Sequence, residues 1–183
     1  MKQRRVILIK MKSKLKEITL DLELDNATIE SVNEKFATEK LKGHAIAIIK
    51  SKDKIILIER KISTSANNLC LPGGNIRHGE SFDDGIRREM KEELNIDLNG
   101  IVPLVKITNR FIGEDGLIKL KSNGFIYFSE SFTGEIKINE REIDSVQLID
   151  LNNIPSLKFR NDKIISYVFN ETTEPLHLIY TRD

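Results

Sequence analysis

Tryptophan is absent from this chain, and cysteine occurs once, at Cys70. A single thiol closes no intrachain disulfide and builds no cysteine metal cluster. Histidines are few and scattered; His44 and His177 stand alone, which suits core or surface roles better than metal ligation. No apolar run approaches the ~18 residues that a membrane-spanning helix requires, so no membrane partner is expected. The opening MKQRRVILIKMKSK is basic, but its apolar segment, Val6–Ile9, is too short for the core of a signal peptide. A cytoplasmic placement is therefore expected. Charge of one sign is also missing: the formal net charge is +1, from 29 basic and 28 acidic residues. That balance argues against a dedicated nucleic-acid surface.

What remains is an ordinary globular composition, 39% apolar and 31% charged over 183 residues. A chain of this size can bury one sizeable core and carry an appendage. Residues 1–42 read as that appendage, a strand–strand–helix extension, and 43–183 as the main domain. Val6–Met11 is a candidate strand. Residues 18–24, ITLDLEL, alternate strictly between apolar and polar, the pattern of a half-buried strand. Asp25 or Asn26 then caps a helix over about 27–41, with Ile29, Val32 and Phe36 at helical spacing. This unit is expected to pack on the main domain, and a homodimer contact through it stays open. His44–Lys50 and Lys54–Ile62 read as strands covered on both faces, because AIAII and IILI are continuous apolar runs. Further strands are expected at Leu69–Leu71, Ile101–Ile112, Leu117–Phe128 with a bulge at Asn123–Gly124, Glu135–Ile138, Ser145–Leu151 and Leu176–Tyr180. Asn99–Gly100 reads as a turn. A last helix follows Asn161 or Asp162.

The chemistry concentrates in Leu71 to Ile96, LPGGNIRHGESFDDGIRREMKEELNI. Gly73 and Gly74 permit backbone angles that a side chain forbids, and Pro72 keeps the approach extended. Ser81 is a natural N-cap, with Asp84 three residues on. Phe82, Ile86, Met90 and Leu94 form an apolar stripe at ~100° per residue. Glu89, Glu92 and Glu93 stand at i, i+3 and i+4 and project from a neighbouring face. Like charges at such spacings cost a helix roughly 0.2–0.5 kcal/mol per pair, so something positive belongs among them. Arg88 neutralises part of the charge. A divalent cation accounts for the rest, and Mg²⁺ favours such oxygen donors while sharing positions with substrate phosphates. A solvated acidic face paired with lysines is the other reading of three glutamates alone.

The spacing from Gly74 onward resembles the signature of the Nudix hydrolase family, G-x5-E-x7-R-E-U-x-E-E-x-G-U, with U a bulky aliphatic residue. Gly74, Glu80, Arg88, Glu89, Met90, Glu92, Glu93 and Ile96 match. Asn95 replaces the last glycine; the position needs a left-handed residue, and Asn is the next best choice. The resemblance implies a Nudix-type α/β/α sandwich with a mixed sheet over about 43–170. It implies Mg²⁺ (or Mn²⁺) held by Glu89, Glu93 and Glu92, with the Gly73 carbonyl completing the site. Arg88 would orient the glutamates, and Glu80 would brace the loop or join the metal.

The implied activity is hydrolysis of a phosphoanhydride in a nucleoside diphosphate linked to another moiety: a nucleoside triphosphate, a sugar nucleotide or a dinucleotide. The general base is a box glutamate or a distant carboxylate, with Glu142 ahead of Glu140, Glu130 and Glu135. Arg60, at the end of a strand, and Arg77, in the box loop, are candidates for substrate phosphate; surface ion pairs serve either equally well. Pro103 follows Ile96 too closely for the proline spacing of ADP-ribose hydrolases. Two other classes remain as alternatives. A catalytically silent nucleotide sensor usually loses box glutamates, and here all are present. A Nudix-fold isopentenyl-diphosphate-type isomerase needs cysteine chemistry, for which Cys70 is poorly placed.

Overall fold

The computed structural model describes residues 15–61 and 69–150. Its elements run β1 (Lys16–Glu23), α1 (Asn26–Thr38), β2 (Leu41–Ser51), β3 (Lys54–Arg60), β4 (Leu69–Cys70), β5 (Gly73–Arg77), α2 (Phe82–Leu94), β6 (Asp97–Ile112), β7 (Ile118–Thr133) and β8 (Ile143–Asp150). The sheet order is β1-β6-β7-β2-β3-β4, with β5 also pairing β2 and β8 pairing β3. The sheet is mixed: β1 runs parallel to β6 and β2 parallel to β7, whereas β6–β7, β2–β5 and β3–β8 are antiparallel. The architecture is thus α/β. The expected strand at Val6–Met11, the helix after Asn161 and the strand at Leu176–Tyr180 lie outside the described residues.

The apolar runs explain the middle of the sheet. Ala45, Ala47, Ile48 and Ile49 of β2 and Ile55 to Ile58 of β3 are all fully buried. Alternate residues feed two cores, one on each face. Ile48, Ile55, Leu57, Val105, Ile107 and Ile126 build the first. Ala47, Ile49, Ile56, Ile58 and Tyr127 meet Ile86, Met90 and Leu94 of α2 in the second. Burying each such aliphatic side chain contributes about 1.5–3 kcal/mol, so α2 is fixed firmly on its face.

The alternating extension behaves differently. Ile18, Leu20 and Leu22 of β1 are only half-buried, and β1 joins the sheet edge beside β6. There Asp21 lies opposite Arg110, whose Nε and Nη2 each donate to its carboxylate at 2.6 Å. The chain then passes through α1, which packs on β2 and β7. It enters β2 at Leu41, two residues before the main domain was expected to begin.

Three local expectations are corrected. The β6–β7 ladder is irregular at Leu104, between the pairs Pro103↔Tyr127 and Val105↔Ile126, and at Lys119, between Phe111↔Leu120 and Ile112↔Ile118, and not at Asn123–Gly124. Gly124 serves close packing instead: a Cβ there would lie 2.4 Å from the His44 ring. Asn99–Gly100 is no turn, because β6 continues through it in register with β7. Residues 135–138 are not a strand. Their alternating Ile136 and Ile138 do pack on the second core, but the backbone serves the end of α2: Lys137 N–H donates to Leu94 O at 3.0 Å and Asn139 N–H to Glu93 O at 2.9 Å. A helix leaves its last carbonyls without partners, and this segment satisfies two of them.

Candidate active site

α2 is held at both ends by its own sequence. Ser81, extended at φ −74° and ψ 162°, accepts the Asp84 N–H at 3.0 Å, and its hydroxyl donates to Asp84 Oδ2 at 2.6 Å. Asp83 in the same turn accepts the Tyr127 hydroxyl at 2.6 Å. At the other end Asn95 is left-handed, φ 58° and ψ 28°, as the glycine position demands. Its N–H returns to Lys91 O and that of Ile96 to Met90 O. These locks set the rotation of the helix, and rotation decides which oxygens face the cleft.

The glycine turn brings a backbone to those oxygens. Gly73 has φ +147°, and a Cβ on it would lie 2.2 Å from Ala45 O, so no other residue fits. It donates its N–H to Glu93 Oε2 at 3.0 Å. Glu93 is only 2% exposed, a buried carboxylate at the base of the cleft. Burial pushes its pKa up to about 7, against the opposing charge of Arg60. A Cβ on Gly74 would run into the Glu89 carboxylate, so that glycine keeps room for it. Burial also raises Glu89, although Arg88 lowers it in part.

Two arginines hold this negative charge. Arg88 uses the full guanidinium fork. Nε and Nη2 bind the two oxygens of Glu80 at 3.0 and 2.7 Å, and Nη2 also reaches Asn75 O at 2.9 Å. Nη1 reaches Glu89 at 2.7 Å and Glu92 at 2.9 Å. Glu80 also accepts the Arg77 N–H at 2.7 Å, and its carboxyl is held below the usual range, first by Arg88. Glu80 is thus tied both to Arg88 and to the Arg77 backbone. Arg60 is the second arginine. Its Nη2 donates to Gly73 O at 2.5 Å and to Glu93 Oε1. Burial, the largest single influence, would lower its pKa, but Glu93 and Cys70 together outweigh that and raise it.

Arg60 and the α2 glutamates border a cleft of about 710 Å³. Its walls include Glu89, Glu92 and Glu93 from α2, Gly74, Asn75 and Arg77 from β5, Arg60 from β3, and Arg141 and Glu142 from the approach to β8. Glu142 is 56% exposed, 3.9 Å from Arg60 Nη1, while Arg77 sits at the rim 3.9 Å from Glu92. The candidate residues thus come together, and Arg60, read equally as a phosphate contact or a surface ion pair, is a part-buried partner of Glu93 and Gly73. Glu140, Glu130 and Glu135 do not line the cleft. Sequence reasoning missed Arg141 and, from α1 and its C-cap, Lys35 and Glu39, which form a further wall. Helical spacing places Lys35 and Glu39 on one face, four residues apart, but nothing in it indicates what that face looks toward.

The donor set suits a hard divalent cation: three carboxylates and the Gly73 carbonyl, with no nitrogen or sulfur ligand. Among the described residues the acidic side chains do not converge on a common point. Each is turned toward a guanidinium, so the oxygens are gathered but committed to arginine.

A family model described as the NUDIX domain matches residues 40–168. The chain is similar to an ADP-ribose pyrophosphatase of Methanocaldococcus jannaschii, 31% identical over 119 residues, which are 64% of this chain and 67% of that protein. Its fold is similar to that of a MutT protein from Bacillus halodurans, with a TM-score of 0.59 at 20% identity, covering 71% of this chain and 83% of the other. It is also similar to the NUDIX domain of Shewanella oneidensis NrtR complexed with ADP ribose, with a TM-score of 0.54 at 17% identity, covering 78% and 95%.

Proposed function

The chain belongs to the Nudix hydrolase family, and we propose that within it this protein is a Mg²⁺-dependent pyrophosphohydrolase, with Mn²⁺ able to substitute. Its substrate in this reading is a nucleoside diphosphate linked to another moiety, cleaved at the phosphoanhydride and met in the cytoplasm. The observation that carries the reading is the buried Glu93, set beside the Gly73 backbone and next to Glu89 and Glu92 at one cleft. A carboxylate this buried is costly unless a cation faces it; Arg60 takes that place here, and a metal held with the Gly73 carbonyl would take it in the working enzyme.

Glu89, Glu92, Glu93 and the Gly73 carbonyl would hold the metal. Such an ion neutralises phosphoryl oxygens and lowers the pKa of a bound water. The chain's own residues do the positioning. Arg88 holds Glu89 and Glu92 in orientation, and Glu80 fixes Arg88 and the Arg77 backbone. Glu142, on the facing wall, is the proposed base that takes the proton of the attacking water. Arg77 at the rim is the proposed contact for a substrate phosphate, joined by Arg60 when its present partners release it. Positioning and electrostatics of this kind supply most of the catalysis in phosphoryl chemistry.

A panel of ADP-ribose, nucleoside triphosphates, sugar nucleotides and dinucleotides, incubated with Mg²⁺ or Mn²⁺ and read by product chromatography, tests the reading. ADP-ribose belongs in it because the relative from Methanocaldococcus jannaschii is named for that substrate. Turnover of a panel member is expected. Glu93→Gln should abolish it in a protein that still folds, and Glu142→Gln should lower kcat by about 10²–10⁴. Binding without turnover across the panel would instead mark a silent sensor.

A further inference from the structure

We propose that the Arg60 guanidinium occupies the cation seat of the cleft, so that a divalent metal binds only by displacing it. The inference rests on the metal reading above and concerns how this chain keeps the site intact without metal.

One atom carries the argument. Nη2 of Arg60 donates both to the Gly73 carbonyl and to the Glu93 carboxylate, two of the oxygens assigned to the metal. The side chain is only 19% exposed and Glu93 only 2%, so this is an enclosed pair. A Mg²⁺ ion sits about 2.0–2.1 Å from its ligand oxygens. A nitrogen already bridging the same two oxygens cannot share that space, and like charge opposes the attempt. Arg88 does not compete in this way, because its fork is filled by Glu80, Asn75, Glu89 and Glu92.

The displaced guanidinium also has somewhere to go. Glu142 Oε2 lies 3.9 Å from Nη1, on the open side of the cleft. Substrate phosphate would enter that same side and offer Arg60 further oxygens. Metal thus frees Arg60 to meet phosphate, and phosphate draws Arg60 off the metal's oxygens. By linkage each ligand must then strengthen the other's binding by an equal factor.

The test measures Mn²⁺ binding through the EPR signal of the free ion, and melting temperature in EDTA and in Mn²⁺, for the wild-type chain, Arg60→Gln and Glu93→Gln. Arg60→Gln should bind Mn²⁺ about tenfold more tightly than wild type, the scale on which groups contacting metal ligands alter affinity. Without metal it should melt below wild type, because Glu93 loses its counter-ion, and Mn²⁺ should close that gap. Inorganic phosphate should tighten Mn²⁺ binding to wild type and not to Arg60→Gln. Equal or weaker Mn²⁺ binding by Arg60→Gln would overturn the proposal while leaving the metal reading intact. So would unchanged metal-free stability, which marks Arg60 as only a distant charge. Absence of Mn²⁺ binding in wild type would instead remove the metal reading itself, and this proposal with it. If Arg60→Gln does not fold, Arg60→Lys carries the same test: a smaller gain in affinity supports the proposal, and no gain overturns it.

Discussion

The two helices of the described chain are equal in length, thirteen residues each, and both begin at an oxygen side chain that caps the first turn. They are otherwise opposites. α2 buries Gly85, Ile86, Met90, Glu93 and Leu94 against the sheet, whereas α1 buries Ile29 alone. α1 is held chiefly at its ends: Leu24 N–H reaches Ile112 O at 3.1 Å, Asn26 reaches Glu114 at 3.1 Å, and Lys40 O accepts the His78 N–H at 2.7 Å. Both helices nonetheless face the same cleft. Capping starts a helix, but buried area decides how rigidly it is held. The cleft therefore has a fixed acidic floor and a more weakly packed wall.

Truncating the anchors should separate the two most strongly. Leu94→Ala in α2 should cost the whole protein about 2–5 kcal/mol in chemical denaturation. Ile29→Ala should show a smaller global loss, its effect appearing as faster amide exchange within α1 while α2 stays protected. Equal global losses would mean that the helices unfold as one unit. Next in size is the left-handed end of α2. Asn95→Ala should cost about 1–2 kcal/mol, since Ala lacks the short polar side chain that lets Asn tolerate the αL conformation, and the bond from Asn95 Nδ2 to Glu135 O goes with it. The caps come third. Ser81→Ala should lower overall stability by about 0.5–2 kcal/mol, and Asp25→Ala should act through α1 alone.

The smallest effect is one of pH. The Asp25 carboxyl is held below its ordinary value, first by the Thr28 hydroxyl and then by the Thr28 N–H. Its folded pKa is the lower one, so its contribution is present above the unfolded value of about 3.9 and fades as pH falls through the folded value. The Ser81 hydroxyl has no such titration. Amide exchange near Thr28 should accelerate on acidification, and Asp25→Asn should remove that dependence. A matching acid response at the Ser81 cap of α2 would erase the distinction.

The same contrast marks what a sequence makes legible. α2 could be read almost residue by residue, since its stripe, cap and left-handed stop are local signals. β2 and β3 were equally plain, because continuous apolar runs of that length fit only a strand covered on both faces. The gathering of Glu89, Glu92 and Glu93 followed from helical spacing alone. Their partners were another matter. Arg60 and Glu93 come from separate elements, and only the antiparallel β2–β5 pairing, with Gly73 laid opposite Ile46, brings the glycine turn and β3 to one place. Residues 135–138 misled for a related reason. Ile136 and Ile138 alternate as in a strand, but their backbone is engaged by the end of a helix. A bulge was sought at a glycine, whereas the long hairpin absorbs extra residues at Leu104, in an apolar run, and at Lys119. α1 as a cleft wall has no local signature, since a polar helix face looks the same toward solvent and toward substrate.

The pairing of β1 with β6 has a consequence in time. Asp21 and Arg110 are 89 positions apart, so the first strand of the sheet finds its neighbour only after the acidic helix and much of the sheet have been synthesised. Contacts so distant in sequence close late, because the intervening chain must surrender its freedom first. On the ribosome β1 must wait with an open edge until β6 emerges, so this rim of the sheet closes only after α2 has been made.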